Sequence, residues 1–204
     1  MVDRQVETRG KPVQGGFTLV EMLAVLAILS TLLLMAAPSF RSVIQNNRLL
    51  TESHSFRAAL NNARSEAVTQ QTWVTFCRSN NGETCGGSWS DGYIAFTDHD
   101  GDGTIDPAGG GDPDDEIFLV SLTDTLGVTV NFNNVTNPGR VRFDSMGFVR
   151  DFSGTLTLCD DRGAREAKAL IISRVGHVVS ARELDTESPD GIPEDDAGAN
   201  LACP

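Results

Sequence analysis

The sequence is poor in the residues that most chemistry needs. Its three histidines, His54, His99 and His177, stand far apart in unrelated contexts. There is no Cys-x-x-Cys pair, no His-Glu-x-x-His, no phosphate-binding loop and no dinucleotide fingerprint. The "GGSWS" around Ser88 is one glycine short of a nucleophile elbow and lacks its strand-to-helix setting. Gly109–Gly111 lie among aspartates, which repel phosphate. These absences argue against an enzyme. Positive charge is scarce as well: 16 Lys and Arg against 28 Asp and Glu leave a net charge of −12. A protein whose main task is gripping phosphate backbones needs a basic face instead. Aromatics are only 6% of the 204 residues while glycines number 20, which implies an aliphatic core cut by many turns.

What the chain does have is one long apolar run. From Phe17 to Ala37 the single charged residue is Glu21. A helix of that length spans about 31 Å, the thickness of a hydrocarbon layer. The preceding "MVDRQVETRGKPVQGG" offsets Arg4, Arg9 and Lys11 against Asp3 and Glu7, a weak bias towards a cytoplasmic N-terminus. A secretory signal would place small residues after the apolar run; here Gly15 and Gly16 precede it. Read by composition alone, this is a single-span anchor. Glu21 needs a reason, because a charge inside a bilayer costs about 2.5–3.5 kcal/mol and is usually paired.

The stretch "GGFTLVEML" resembles the processing site of type IV pilins and of type II secretion pseudopilins. The resemblance implies a dedicated prepilin peptidase that cuts between Gly16 and Phe17, with N-methylation of Phe17. Glu21 becomes the fifth residue of the mature chain, and Pro38 falls where these proteins place a helix-kinking proline. After cleavage Glu21 lies one helical turn from the new amine, its own or a neighbour's. Two charges leaving water are better paired than alone, so Glu21 is expected to set register in assembly. The alternative is a carboxylate that snorkels to the membrane surface.

After Pro38 apolar residues recur at Phe40, Val43, Ile44, Leu50, Phe56, Ala59, Leu60, Ala63 and Ala67, in the three-and-four spacing of an amphipathic helix. The Phe56–Ala67 stripe is expected to pack on a sheet, and His54 to face solvent. Eight short runs then read as strands: "TWVTFCR", "GYIAFTD", "EIFLVSL", "GVTVNF", "RVRFD", "GTLTLCD", "KALIISR" and "HVVSA". A long helix followed by strands predicts an α+β fold with an antiparallel sheet. The domains expected are a cleaved leader at 1–16, a transmembrane and assembly helix at 17–37, an amphipathic helix at 38–70 and a β-rich periplasmic head at 71–204. "CRSNNGETCGGSWSDGYIAFTDHDGDG", "RVRFDSMGFV" and "LIISRVGHVV" extend the resemblance to the H-type pseudopilins and minor pilins of the GspH/FimT family. That implies a low-copy subunit near a filament tip, anchored in the inner membrane. Its partners would be other pilin or pseudopilin subunits and the inner-membrane assembly machinery.

Four cysteines in a chain with an export-like start favour disulfides over metal thiolates. Of the three possible pairings, Cys77–Cys85 suits a hairpin staple around "RSNNGET", which leaves Cys159 for Cys203 in the acidic tail. The run "TDHDGDGTIDPAGGGDPDDE" sets Asp98, Asp100 and Asp102 at alternate positions, then Gly103, Thr104 and Asp106. This matches nine positions of a calcium loop, with Thr104 giving its carbonyl. At position twelve Gly109 replaces the bidentate glutamate; Asp112, Asp114, Asp115 or Glu116 would have to reach back. Calcium is the one cofactor suggested, and the alternative is a solvated acidic turn protecting a sheet edge.

The second functional reading is a DNA-capturing minor pilin that serves uptake in transformation. The DNA-binding members share a Gly-Arg-x-Arg motif on the last hairpin, where this chain has "SRVGHVVSAR". A literal "GRVR" occurs at Gly139–Arg142, too early in the chain. Arg174, His177 and Arg182 are the residues left for a small patch, and an ordinary imidazole is mostly neutral at pH 7. Nucleic acid is not an expected partner.

Overall fold

The structure is a computed structural model that describes residues 16–106, 114–122, 127–149, 151–182 and 190–203, with the backbone alone at 34–39. Helix α1 covers Leu19–Gln70, 52 residues. Eight strands follow: β1 Trp73–Arg78, β2 Gly92–Asp98, β3 Ile117–Leu122, β4 Thr129–Phe132, β5 Arg140–Phe143, β6 Gly154–Cys159, β7 Lys168–Ile172 and β8 Val178–Ser180. A 3-10 turn, Ala164–Glu166, leads into β7. Each run read as a strand in the sequence contains one. Two compact units divide the chain, residues 1–43 and 44–204.

In the second unit the strands form two antiparallel sheets rather than one, ordered β3-β2-β1-β5 and β4-β6-β7-β8. Chain order does not reveal this split, because β4 and β5 are neighbours in sequence but join different sheets. Along the helix, Leu49, Ser53, Phe56, Leu60, Ala63 and Ala67 are buried at alternating steps of four and three. This is one face of a 3.6-residue helix. Phe56 leads an aromatic cluster: it lies 4.7 Å from Tyr93 and edge-on to Phe76 and Trp89, and Trp89 stacks on Phe76 at 5.7 Å. The Trp89 indole donates to the Pro138 carbonyl at 2.8 Å, so its one polar atom is satisfied. The "GGSWS" turn thus delivers a core anchor. Ile44 and Leu50, which the sequence put on the same stripe, are exposed, and Leu49 takes the inward position. His54 is exposed.

Polar ties complete this unit. Arg64 on α1 donates from Nε to the Gly147 carbonyl at 3.1 Å and from Nη2 to the Val175 carbonyl at 3.3 Å. At the end of β6, Arg162 bonds to Asn46, and Gln45 bonds to Asp161. Disulfides join Cys77 to Cys85 and Cys159 to Cys203. In the chain-entropy account the longer loop is worth up to about 4 kcal/mol. Leu201 packs with Cys159, Ala167 and Ala169 in a small second core. Asp196 also accepts from the Thr155 hydroxyl and returns a backbone N–H to it. The described tail at 190–203 is therefore held by a covalent bond, an apolar contact and hydrogen bonds.

In the first unit, described side chains from Leu19 to Leu33 are exposed on all sides of the helix. Ser30 and Thr31 return their hydroxyls to the carbonyls of Ala27 and Ile28, so they need no outside partner. Among the described residues no helix is long and apolar enough to cross a membrane. The apolar run itself continues through 34–37, and the Pro38 side chain lies outside the described residues.

Candidate functional site

Three constellations came out of the sequence, and the structure treats them differently. The first is the start of α1. A Cβ built at Gly16 meets nothing within 4 Å among the described residues. Phe17 is 79% exposed. The Thr18 hydroxyl accepts the Glu21 backbone N–H at 3.2 Å, and the Thr18 carbonyl accepts that of Met22 at 3.2 Å. Thr18 is thus the N-cap and Glu21 the third helical residue, the Thr-x-x-Glu order of a capping box. Thr18 is a functional residue legible in the sequence only through a cap signal: a hydroxyl residue before an apolar run, with Glu three places on. Phe17, Leu19, Val20, Met22 and Leu23 surround Glu21, each more than half exposed.

The second constellation is the acidic loop between β2 and β3. Asp98, the last residue of β2, is fully buried; Asp100 and Asp102 are exposed. One oxygen from each of the three lies within 4.8 Å of the others. Asp98 Oδ2 accepts the Thr75 hydroxyl and lies 3.8 Å from Arg142 Nη1. Arg142 is itself set between the rings of Trp73 and Phe152, at 5.4 and 4.9 Å. Burial pushes the Asp98 carboxyl above its ordinary value, against the Thr75 hydroxyl, the Gly103 amide and Arg142, which favour its charged form. Asp102 moves the other way. Hydrogen bonds from the Thr104 hydroxyl and amide hold it below the ordinary value.

Asp115 closes the neck of this loop, accepting the His99 N–H on one oxygen and the Asp106 N–H on the other, both at 3.1 Å. Among the described residues proposed to reach back, Asp114, Asp115 and Glu116, it is Asp115 that grips the loop, through backbone amides. Asp112 and Gly109 lie outside the described residues. Arg140, which lies 38 positions beyond Asp102 in sequence, donates from Nη1 to the carbonyls of Asp102 and Gly103 at 3.2 and 3.0 Å. Its approach requires Gly103, since a Cβ there would sit 1.8 Å from Nη1. The early "GRVR" therefore faces the acidic loop.

The third constellation is not assembled. Arg174 and His177 fall in the turn between β7 and β8, and Arg182 lies beyond the far end of β8. The small patch suggested for these residues is spread along the chain, because β8 is only three residues long and Arg182 falls past its end. Arg174 lines a shallow groove with Phe148, Asp151 and Val175, so a carboxylate accompanies it.

A helix capped at its start, exposed and apolar along its first unit, and buried along one face against two antiparallel sheets defines a pilin-like α+β protein. Residues 52–176 match the family described as the type II transport protein GspH. The chain belongs to that family, that of the type IV minor pilins and pseudopilins. Residues 11–37 match the prokaryotic N-terminal methylation motif. Among solved structures, the type IV minor pilin FimU of Pseudomonas aeruginosa is similar in two crystal forms. One is 18% identical, with a TM-score of 0.48, covering 66% of this chain and 89% of that one. The other is 16% identical, with a TM-score of 0.46, covering 65% and 92%. No curated protein matches the chain.

Proposed function

We propose that the chain is a non-enzymatic assembly subunit, a minor pilin or H-type pseudopilin of a type IV pilus or a type II secretion pseudopilus, seated near the tip. In this reading a prepilin peptidase removes 1–16 and Phe17 is methylated. Residues 17–37 anchor the chain in the inner membrane and later pack among neighbouring subunits, 38–70 continue the helix, and 71–204 form the periplasmic head. The observation that carries it is the first unit of α1, apolar and exposed on every face with one carboxylate. A helix apolar all round belongs among lipid or other apolar helices, not in water. The methylation motif over 11–37 lies on that segment. Glu21 then supplies the charge that meets a neighbour's Phe17 amine as both leave water.

Processing tests the proposal. Intact-mass measurement of the chain made with and without a prepilin peptidase should show loss of residues 1–16 only when the peptidase is present. Gly16→Asp should abolish the loss. Because no described residue crowds Gly16, that block would arise at the peptidase and not from misfolding. An unrelated anchor would keep Met1–Gly16 in both strains.

A further inference from the structure

We propose that the loop between β2 and β3 is a divalent-cation site that takes calcium on the carboxylates of Asp98, Asp100 and Asp102. The first observation is their convergence: an oxygen of each lies within 4.8 Å of the others. Calcium binds oxygens at about 2.3–2.6 Å, so two ligands of one ion are never more than about 5 Å apart. The loop meets that limit with its side chains already in place.

The second observation is independent of the first. Asp98 is wholly buried, its Oδ2 accepts from Thr75 with Arg142 3.8 Å away, and the Gly103 amide favours its charge, yet Oδ1 has no hydrogen bond of good geometry among the described residues. A buried carboxylate oxygen without a donor is costly, and folded proteins satisfy such atoms with a donor, a water or an ion. Arg142 does not do it: its Nη1 stays 3.8 Å from Oδ2, with its guanidinium between Trp73 and Phe152. An ion held by Asp100, Asp102 and Asp98 would supply the missing partner of this carboxylate.

The loop is preorganised for this. Asp100 accepts the Asp102 N–H, Asp102 accepts the Thr104 N–H, Gly101 and Gly103 turn the backbone at φ +74° and +78°, and Asp115 clamps the neck. Arg140 and Arg142 offset part of the charge, but Asp98, Asp100, Asp102, Asp106 and Asp115 leave a negative surplus that a divalent ion would reduce. Without the bidentate glutamate at position twelve, affinity should lie in the range of extracellular calcium modules, about 10⁻⁴–10⁻³ M. The proposal stands apart from processing and assembly.

Terbium luminescence tests it on the full chain in detergent micelles. The Trp73 ring lies 3.5 Å from where a Gly101 Cβ would be, so it can sensitise an ion held in the loop. Excitation of tryptophan should give terbium emission that millimolar calcium displaces and equal magnesium does not. Asp100→Asn with Asp102→Asn keeps the turn acceptors while removing charge, and should lower terbium affinity at least tenfold. Absence of sensitised emission from the wild type would overturn the proposal. Undiminished terbium affinity in the double variant would do the same, and so would equal displacement by magnesium.

Discussion

The hydroxyl of Thr18 accepts the backbone N–H of Glu21 at 3.2 Å, so the residue next to the expected cleavage point caps the helix that Glu21 opens. Glu21 therefore has two separable roles. Its position in the first turn is favourable for any carboxylate, through the helix dipole. Its charge is what a neighbour's amine would need.

Glu21→Gln separates the two roles, since Gln also suits the third position of a capping box. Membrane insertion should be unchanged, while the amount of subunit in sheared filaments or pseudopili should fall several-fold. Thr18→Ala should weaken the helix start by about 1 kcal/mol and reduce incorporation less. Immunoblots of sheared and membrane fractions read both variants. Wild-type incorporation of Glu21→Gln would remove the pairing role.

Gly176 turns the backbone between β7 and β8 at φ +77°, and a Cβ there would stand 1.9 Å from the Gly147 carbonyl oxygen. Arg64 donates to that same carbonyl. Gly176→Ala should therefore destabilise the protein by about 2–3 kcal/mol, through backbone strain and loss of the close approach. Gly163 has a similar φ of +88° but open space around it, so Gly163→Ala should cost only about 1 kcal/mol. Arg64→Ala should fall between, at about 1–2 kcal/mol. Urea unfolding of the three variants gives the order, and equal effects at both glycines would refute the packing argument.

These positions mark where the sequence stopped being legible. The eight strands and the Phe56–Ala67 face could be read because period-two and period-3.6 patterns are local. So could the candidate Cys77–Cys85 pair, because the two residues flank one short loop. The division into two sheets could not, since it depends on which distant edges meet. Arg64 carries no local signature of its role; its partners are carbonyls at positions 147 and 175, and a carbonyl leaves no trace in side-chain identity. The acidic loop was legible as a spacing, but the approach of Arg140 and Arg142 from β5 was not, because it follows from the pairing of β5 with β1.

Acid should reveal the ion pair at the end of β6. Burial alone would raise the Asp160 carboxyl, but Arg162 outweighs it. The guanidinium donates from Nε to Oδ1 and Oδ2 at 3.1 and 3.0 Å and from Nη2 to Oδ2 at 2.6 Å, and the Arg162 amide donates to Oδ1. The net effect holds the carboxyl below its ordinary value of 3.8. A carboxyl depressed on folding contributes stability above its unfolded pKa and loses it as pH falls through the folded value. Arg162→Ala should thus cost about 1–2 kcal/mol at neutral pH, a range discounted for solvent screening. At an acid pH below that folded value the difference from wild type should shrink, leaving what the bond from Arg162 to Asn46 supplies. Urea midpoints at the two pH values measure it, and a pH-independent difference would show that the contact is packing and not charge.

Arg174 and Arg182 are exposed but flank opposite ends of the three-residue strand β8, and Arg174 shares its groove with Asp151. Arg140 and Arg142, the literal "GRVR", are engaged by the acidic loop. These four arginines are therefore either separated or matched with acids, on a chain of net charge −12. Affinity for a phosphate backbone grows with the number of phosphates neutralised at once and collapses as salt rises. Two separated arginines neutralise few. The full chain in detergent micelles should show no gel shift tighter than about 10⁻⁴ M at physiological salt, the weak end of non-specific binding. Adding Arg174→Ala and Arg182→Ala should then change nothing measurable. Micromolar binding that this double substitution abolishes would instead make DNA capture the better account of the head domain. It would also mean that one DNA backbone bridges both ends of β8.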